Sequence, residues 1–137
     1  MPATFDEFLS DLRHTSVQVS AGNGYPEPGC ASLGLLFANG TRLQAEYWRL
    51  INHGKAGLSS FDHRQQYGLP APIDAIRQLQ EHIQGKLVTD ARLDRETGDL
   101  VFQFDGNIKL QIFNFTGYEV WEINFPNGSV EYSNHAK

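Results

Sequence analysis

Apolar positions recur along the chain with two periods, and the changes of period mark its elements. Near the start, Phe5, Phe8, Leu9 and Leu12 fall at helical spacing behind Thr4. Glu7 stands three residues after Thr4, so each side chain can satisfy a free backbone N–H at the other's position. This predicts a short helix over 4–13, then a strand over 15–20 with Val17 and Val19 on one face. A second helical stripe, Ile73, Ile76, Leu79 and Ile83, predicts an amphipathic helix over 73–84, introduced by Pro70 and Pro72 and stopped by Gly85.

Elsewhere the period is two. Residues 32–37, the turn Ala38-Asn39-Gly40 and residues 41–51 read as a hairpin with a long second strand, because Asn-Gly supplies the positive φ of a tight reversal. After the helix come five strand candidates, 87–93, 99–104, 108–113, 119–125 and 129–133. The turn-formers Thr97-Gly98, Asp105-Gly106-Asn107, Thr116-Gly117 and Pro126-Asn127-Gly128 separate them and favour an antiparallel meander. Leu100, Phe102 and Phe104 share one face, as do Ile108, Leu110 and Ile112, and as do Trp121, Ile123 and Phe125. Phe113, Phe115, Tyr118 and Val120 fall on opposite faces, so aromatics occur on both sides. Residues 21–30, with three glycines and two prolines, read as a loop, and 58–68 has no clear periodicity.

A displacement of 67 residues places Leu33 on Leu100, Phe37 on Phe104, Leu43 on Leu110 and Gln44 on Gln111, with Arg42 on Lys109. The echo is either a pseudo-repeat, over 15–51 and 86–125, or the similarity of any two amphipathic hairpins at a chosen offset. The expected fold is α+β: an antiparallel β-sheet built from two related hairpin or meander units, with a central amphipathic helix and a short N-terminal helix, in a single domain over 1–137.

Composition narrows the classes of function. With 137 residues, 40% hydrophobic and 20% charged, the chain can bury a core and is not of disordered type. A net charge of -5 works against binding phosphate backbones or anionic lipid. Eight of the sixteen acids, against four bases, lie in residues 90–137, which points to an acidic C-terminal sheet. No run approaches the ~18 apolar residues of a membrane span. Cys30 is the only cysteine, which excludes an intrachain disulfide, and the acidic first residues differ from the basic and then apolar start of a secretory signal. A cytoplasmic location is expected.

Candidate chemistry is sparse. His14, His53, His63, His82 and His135 show no metal-ligand spacing, so no metal and no cofactor are expected. Cys30, in its Gly/Pro loop, reads as a small half-buried residue. Ser59, Ser60, Asp62 and His63 have the residue types of a hydrolytic triad, yet they are crowded in sequence and no G-x-S-x-G turn exposes a serine. Their polar groups are expected to bond their own backbone. Glu119 and Glu122 flank Trp121 at odd spacing and so point to opposite faces of a regular strand. No catalytic residue is assigned.

The runs Gly98-Asp99-Leu100-Val101-Phe102-Gln103-Phe104-Asp105-Gly106, Tyr118-Glu119-Val120-Trp121-Glu122-Ile123 and Pro126-Asn127-Gly128 resemble a family of small uncharacterised bacterial proteins. That family has a D-G turn, a Y-E-x-W-E strand and a P-D-G turn. Tyr47-Trp48-Arg49, Ser59-Ser60-Phe61-Asp62-His63 and Gln66-Tyr67-Gly68 extend the resemblance over residues 33–134. Asn107 departs from the pattern and points to a longer or bulged turn. The family is similar in size and character to the immunity partners of polymorphic toxins of the contact-dependent-inhibition or Rhs type, and it carries no assigned chemistry. The resemblance implies a non-enzymatic protein that occludes the active site of a cognate toxin domain, a nuclease or a nucleotide-using enzyme, without binding nucleic acid or membrane itself. Partner-binding residues are expected at Asp62, His63, Gln66, Tyr67, Phe113, Tyr118, Glu119, Glu122 and Glu131. The alternatives are a hydrolase using Asp62 and His63, and a general intracellular interaction module.

Overall fold

The computed structural model describes residues 4–22, 29–114 and 119–133. Tyr118, Phe115 and the Thr116-Gly117 turn lie outside the described residues, as does most of the 21–30 loop. Helix α1 (Phe5–Ser10) is shorter than predicted and starts where Thr4 Oγ1 accepts the Glu7 N–H at 3.2 Å. It leads to β1 (Val17–Ala21), β2 (Leu33–Phe37), β3 (Arg42–Ala45), β4 (Trp48–Asn52) and β5 (Lys55–Ser59). After a 3-10 turn over Ser60–Asp62, helix α2 (Ala75–Ile83) leads to β6 (Val88–Leu93), β7 (Leu100–Phe104), β8 (Ile108–Ile112), β9 (Trp121–Asn124) and β10 (Val130–Tyr132). None of the described helices is long and apolar enough to cross a membrane.

Among the described residues all strand pairs are antiparallel, and the strands form two five-stranded sheets rather than one. The first runs β1-β2-β3-β9-β10 and the second β5-β4-β8-β7-β6. Their apolar faces share one core, in which Phe37 of β2 meets Phe102 of β7 at 5.5 Å between ring centroids. The predicted strand over 41–51 is therefore corrected to two strands in different sheets. Ala45 and Trp48 are both buried although three residues apart, so strict alternation fails at Glu46-Tyr47 and the chain turns from one sheet into the other. The predicted C-terminal meander is likewise split, because the chain crosses back between β8 and β9. β5 was invisible to periodicity: Lys55, Ala56 and Gly57 are all exposed, and the strand forms by pairing with β4.

The second half repeats the first in element order, helix then five strands, and in register. Trp48 and Arg49 of β4 lie beside Ile112 and Gln111 of β8; Trp121 and Glu122 of β9 lie beside Ala45 and Gln44 of β3. The indole of Trp48 donates to Ala31 O and that of Trp121 to Gly98 O, both at 2.8 Å. Ser60 and Ser133, each fully buried, use their hydroxyls to accept the backbone N–H of Trp48 (3.2 Å) and Val120 (2.8 Å). Where β1 and β6 begin, an antiparallel bridge between Ser16 and Leu87 joins the two sheets. α2 then closes the outer edge of β1: Gln80 donates to Val19 O and Gln84 accepts the Val19 N–H. This covers an edge that would otherwise expose unpaired ladder groups.

Two of the three-residue hairpin turns end on a buried residue, Thr41 after Ala38-Asn39-Gly40 and Ile108 after Asp105-Gly106-Asn107. Gly106 and Asn107 both take positive φ, 86° and 59°, which accommodates Asn107 within the turn without shifting the next strand. Thr41 is fully buried and its Oγ1 has no partner. A buried hydroxyl without a hydrogen bond carries an uncompensated desolvation penalty. Thr41→Val is therefore expected to raise the unfolding free energy by about 1 kcal/mol, read from a higher denaturant midpoint; an unchanged or lower midpoint would count against an unsatisfied hydroxyl here.

Candidate functional site

The segment following β5 is a short loop braced by its own hydrogen bonds. Ser59 N–H donates to Asp62 Oδ2 (2.9 Å) and Phe61 N–H to Ser59 Oγ (3.2 Å), the reciprocal pattern that starts a helical turn. The Tyr67 hydroxyl donates to Asp62 Oδ1 at 3.0 Å. The Asp62 carboxylate accepting this bond holds the Tyr67 phenol above its ordinary pKa, with smaller contributions from desolvation and from Asp62's charge. His63 is 7% exposed, and its Nδ1 accepts the Ala75 N–H at 3.2 Å, satisfying one of the free donors at the start of α2. Asp74 accepts the Arg77 N–H from the same helix at 3.1 Å. Gln66 spans its own turn by donating to Leu69 O.

What this loop leaves outside is aromatic and aliphatic. Phe61 is 49% exposed, Tyr67 67% and Leu69 45%, and Phe61 stacks on Tyr47 with ring centroids 5.8 Å apart. Tyr47 and Phe61 carry no signal in a search for amphipathic elements; exposed aromatics in an aperiodic segment are the clue.

Glu119 and Glu122 lie elsewhere, on a half-open cleft of about 290 Å³ over the outer face of β3 and β9. Cys30, Ser32, Gln44, Glu46, Trp121 and Tyr132 help line it. The expectation that Glu119 and Glu122 point to opposite faces is overturned. Glu119 precedes β9, and Val120 and Trp121 are buried in succession as the chain crosses between sheets, so both residues line one cleft. Glu131 does not join them: it is in register with core-facing Ile123 and stands on the opposite face from Glu122. Cys30 is exposed, not half-buried, because the 29–31 segment is anchored by Gly29 and Ala31 and leaves residue 30 outward.

The acidic C-terminal sheet also does not exist as one surface. β6, β7 and β8 belong to the second sheet, whose outer face carries Arg49, Arg92 and Lys109 at registered positions beside Asp90, Gln103 and Gln111. Phe113 lies here, with the Arg49 guanidinium 5.0 Å from its ring centroid. Among the described residues no group of histidine, cysteine and carboxylate side chains is arranged to hold a metal ion.

Loop and cleft are neighbours. Gly29 N–H donates to His63 O at 2.8 Å, one residue from Cys30 in the cleft; Glu46 in the cleft precedes Tyr47, which stacks on Phe61. Asp62, His63, Gln66, Tyr67, Glu119 and Glu122 thus belong to adjoining features, linked by Cys30, Glu46 and Tyr47. Comparison of the chain with protein-family models, with curated proteins and with solved structures finds no match.

Two outcomes follow from the loop's bonds. In Asp62→Asn the ionisation midpoint of Tyr67 should fall back toward that of a free phenol, since the acceptor is no longer anionic; ultraviolet tyrosinate titration against Tyr67→Phe would detect it, and an unmoved midpoint would contradict the Asp62 bond. Removing the helix-capping imidazole in His63→Ala should cost about 1–2 kcal/mol of stability, seen as a lower denaturant midpoint at unchanged slope; wild-type stability would show that the ring does not support α2.

Proposed function

We propose that this chain is a non-enzymatic binding domain that neutralises a bacterial toxin domain by covering its active site, as the resemblance to toxin-immunity families implies. One observation carries the binding reading. The loop spends its polar groups on its own backbone and on Tyr67, and presents Phe61, Tyr67 and Leu69 to solvent. A rigid backbone offering aromatic side chains loses little entropy on association, and such residues are common anchors at protein interfaces. The neighbouring carboxylates Glu46, Glu119 and Glu122 add negative charge that complements a basic, phosphate-binding surface on a nuclease or nucleotide-using toxin. The hydrolase reading is less well supported, since His63 Nδ1 accepts from Ala75 and both Asp62 oxygens are engaged. We further read the matched registers of the two halves as the mark of two related units.

The test is co-expression with the product of the adjacent reading frame, followed by pull-down and growth rescue. Phe61→Ser combined with Leu69→Ser should weaken the complex by about tenfold or more while the melting temperature holds. Wild-type affinity in that double variant would remove the loop from the interface. Turnover of a substrate that disappears in Asp62→Ala would instead favour the hydrolase.

A further inference from the structure

The two sheets carry one feature twice, and in one copy the protein fills it itself. On the second sheet Arg49 of β4 lies beside Gln111 of β8 and Ser59 of β5; on the first, Glu122 of β9 lies beside Gln44 of β3 and Tyr132 of β10. Phe113, which directly follows β8, occupies the place that Glu46 takes after β3. In the second sheet Arg49 Nε donates to Gln111 Oε1 at 2.8 Å, and the guanidinium covers Phe113. The fold thus seats a guanidinium between a sheet-face glutamine and the crossing segment.

In the first sheet both positions are carboxylates, Glu122 for Arg49 and Glu46 for Phe113, and the place is an open cleft of about 290 Å³. Glu119 is a third carboxylate, and among the described residues that line the cleft there is no lysine, arginine or histidine. The ion pairs formed among the described residues, Arg77 with Glu81 and Arg95 with Asp6, involve none of the three.

We infer that this cleft is a docking pocket for an arginine side chain of a partner protein. A guanidinium offers five N–H donors in a plane, enough to meet more than one carboxylate, and it packs on aromatic surface such as that of Tyr132. A metal ion is a poorer occupant, since these carboxylates do not gather as a metal-binding group. That the guanidinium comes from a protein rests on the binding reading above: the aromatic loop beside the cleft gives the rest of a protein surface somewhere to pack.

The test does not need the partner. Isotope-labelled protein is titrated with the capped tripeptide acetyl-Gly-Arg-Gly-amide and followed by amide N–H shifts. Saturable shifts are expected at the amides of Gln44, Glu46 and Glu122, with the lysine analogue binding about threefold more weakly or worse. Glu119→Gln with Glu122→Gln should weaken binding at least about fivefold, and Glu131→Gln, on the other face, should leave it unchanged. Glu122→Arg, which copies Arg49, should close the cleft and abolish binding at an unchanged melting temperature. No saturable cleft shifts at about 50 mM peptide, equal binding of the lysine analogue, or indifference to the double variant would each overturn the inference. A cleft that binds the peptide in a protein that neutralises no toxin would sink only the functional reading. A partner bound at wild-type affinity by Glu122→Arg would sink only the pocket.

Discussion

The structure depends on the pairing of two strand crossings. Between β3 and β4, and again between β8 and β9, the chain leaves one sheet for the other, and the two crossings bond to each other: Glu46 N–H to Val120 O at 3.0 Å and Phe113 N–H to Tyr47 O at 2.9 Å. A chain that turns out of a sheet strands backbone donors and acceptors, and leaving these unpaired in a buried region is costly. Here each crossing supplies the other's partners. Trp48 and Trp121 follow directly and fill the core on either side, each with its indole N–H satisfied by a backbone carbonyl. Ser60 and Ser133 satisfy backbone N–H groups beside them.

From that arrangement follows the exchange of strands between halves. β9 and β10 complete the sheet begun by β1 to β3, while β4 and β5 complete the sheet of β6 to β8. Surfaces are therefore mosaics: the cleft takes Cys30, Gln44 and Glu46 from one half and Glu119, Glu122 and Tyr132 from the other. The two outer faces differ in charge at matching positions. Arg49, held by Gln111 and Phe113, makes one face basic and self-filled, whereas Glu122 and its neighbours leave the other open and acidic. Counting charge by stretches of sequence misses this, because neighbours on a face come from distant segments.

The 59–69 loop shows how local bonds shape a surface. Asp62 gathers Ser59 and Tyr67, and His63 is committed to the start of α2, so residues that suggest hydrolysis hold the loop in place. Arg64 and Tyr67 take left-handed backbone conformations, φ 62° and 47°, which cost energy for residues with side chains and persist because Arg64 N–H to Ile73 O and the Tyr67 hydroxyl to Asp62 fix the turns.

Local physics alone determined the elements whose signal lies within a few residues. Thr4 and Glu7 mark the start of α1, the stripe from Ile76 to Ile83 marks α2, and alternation in Leu100 to Phe104 and Ile108 to Ile112 marks β7 and β8 with their buried faces. Side chains three or four apart on a helix, or two apart on a strand, meet the same environment whatever the rest of the chain does. Tertiary structure alone decided where the strand over 41–51 breaks, that Lys55–Ser59 is a strand, and which sheet receives β9. Those outcomes turn on hydrogen bonds between segments about seventy residues apart, such as Glu46 to Val120, and no local periodicity encodes them. The cleft depends on the same crossings, since a bend at Val120 and Trp121 brings Glu119 and Glu122 to one side where a regular strand would part them.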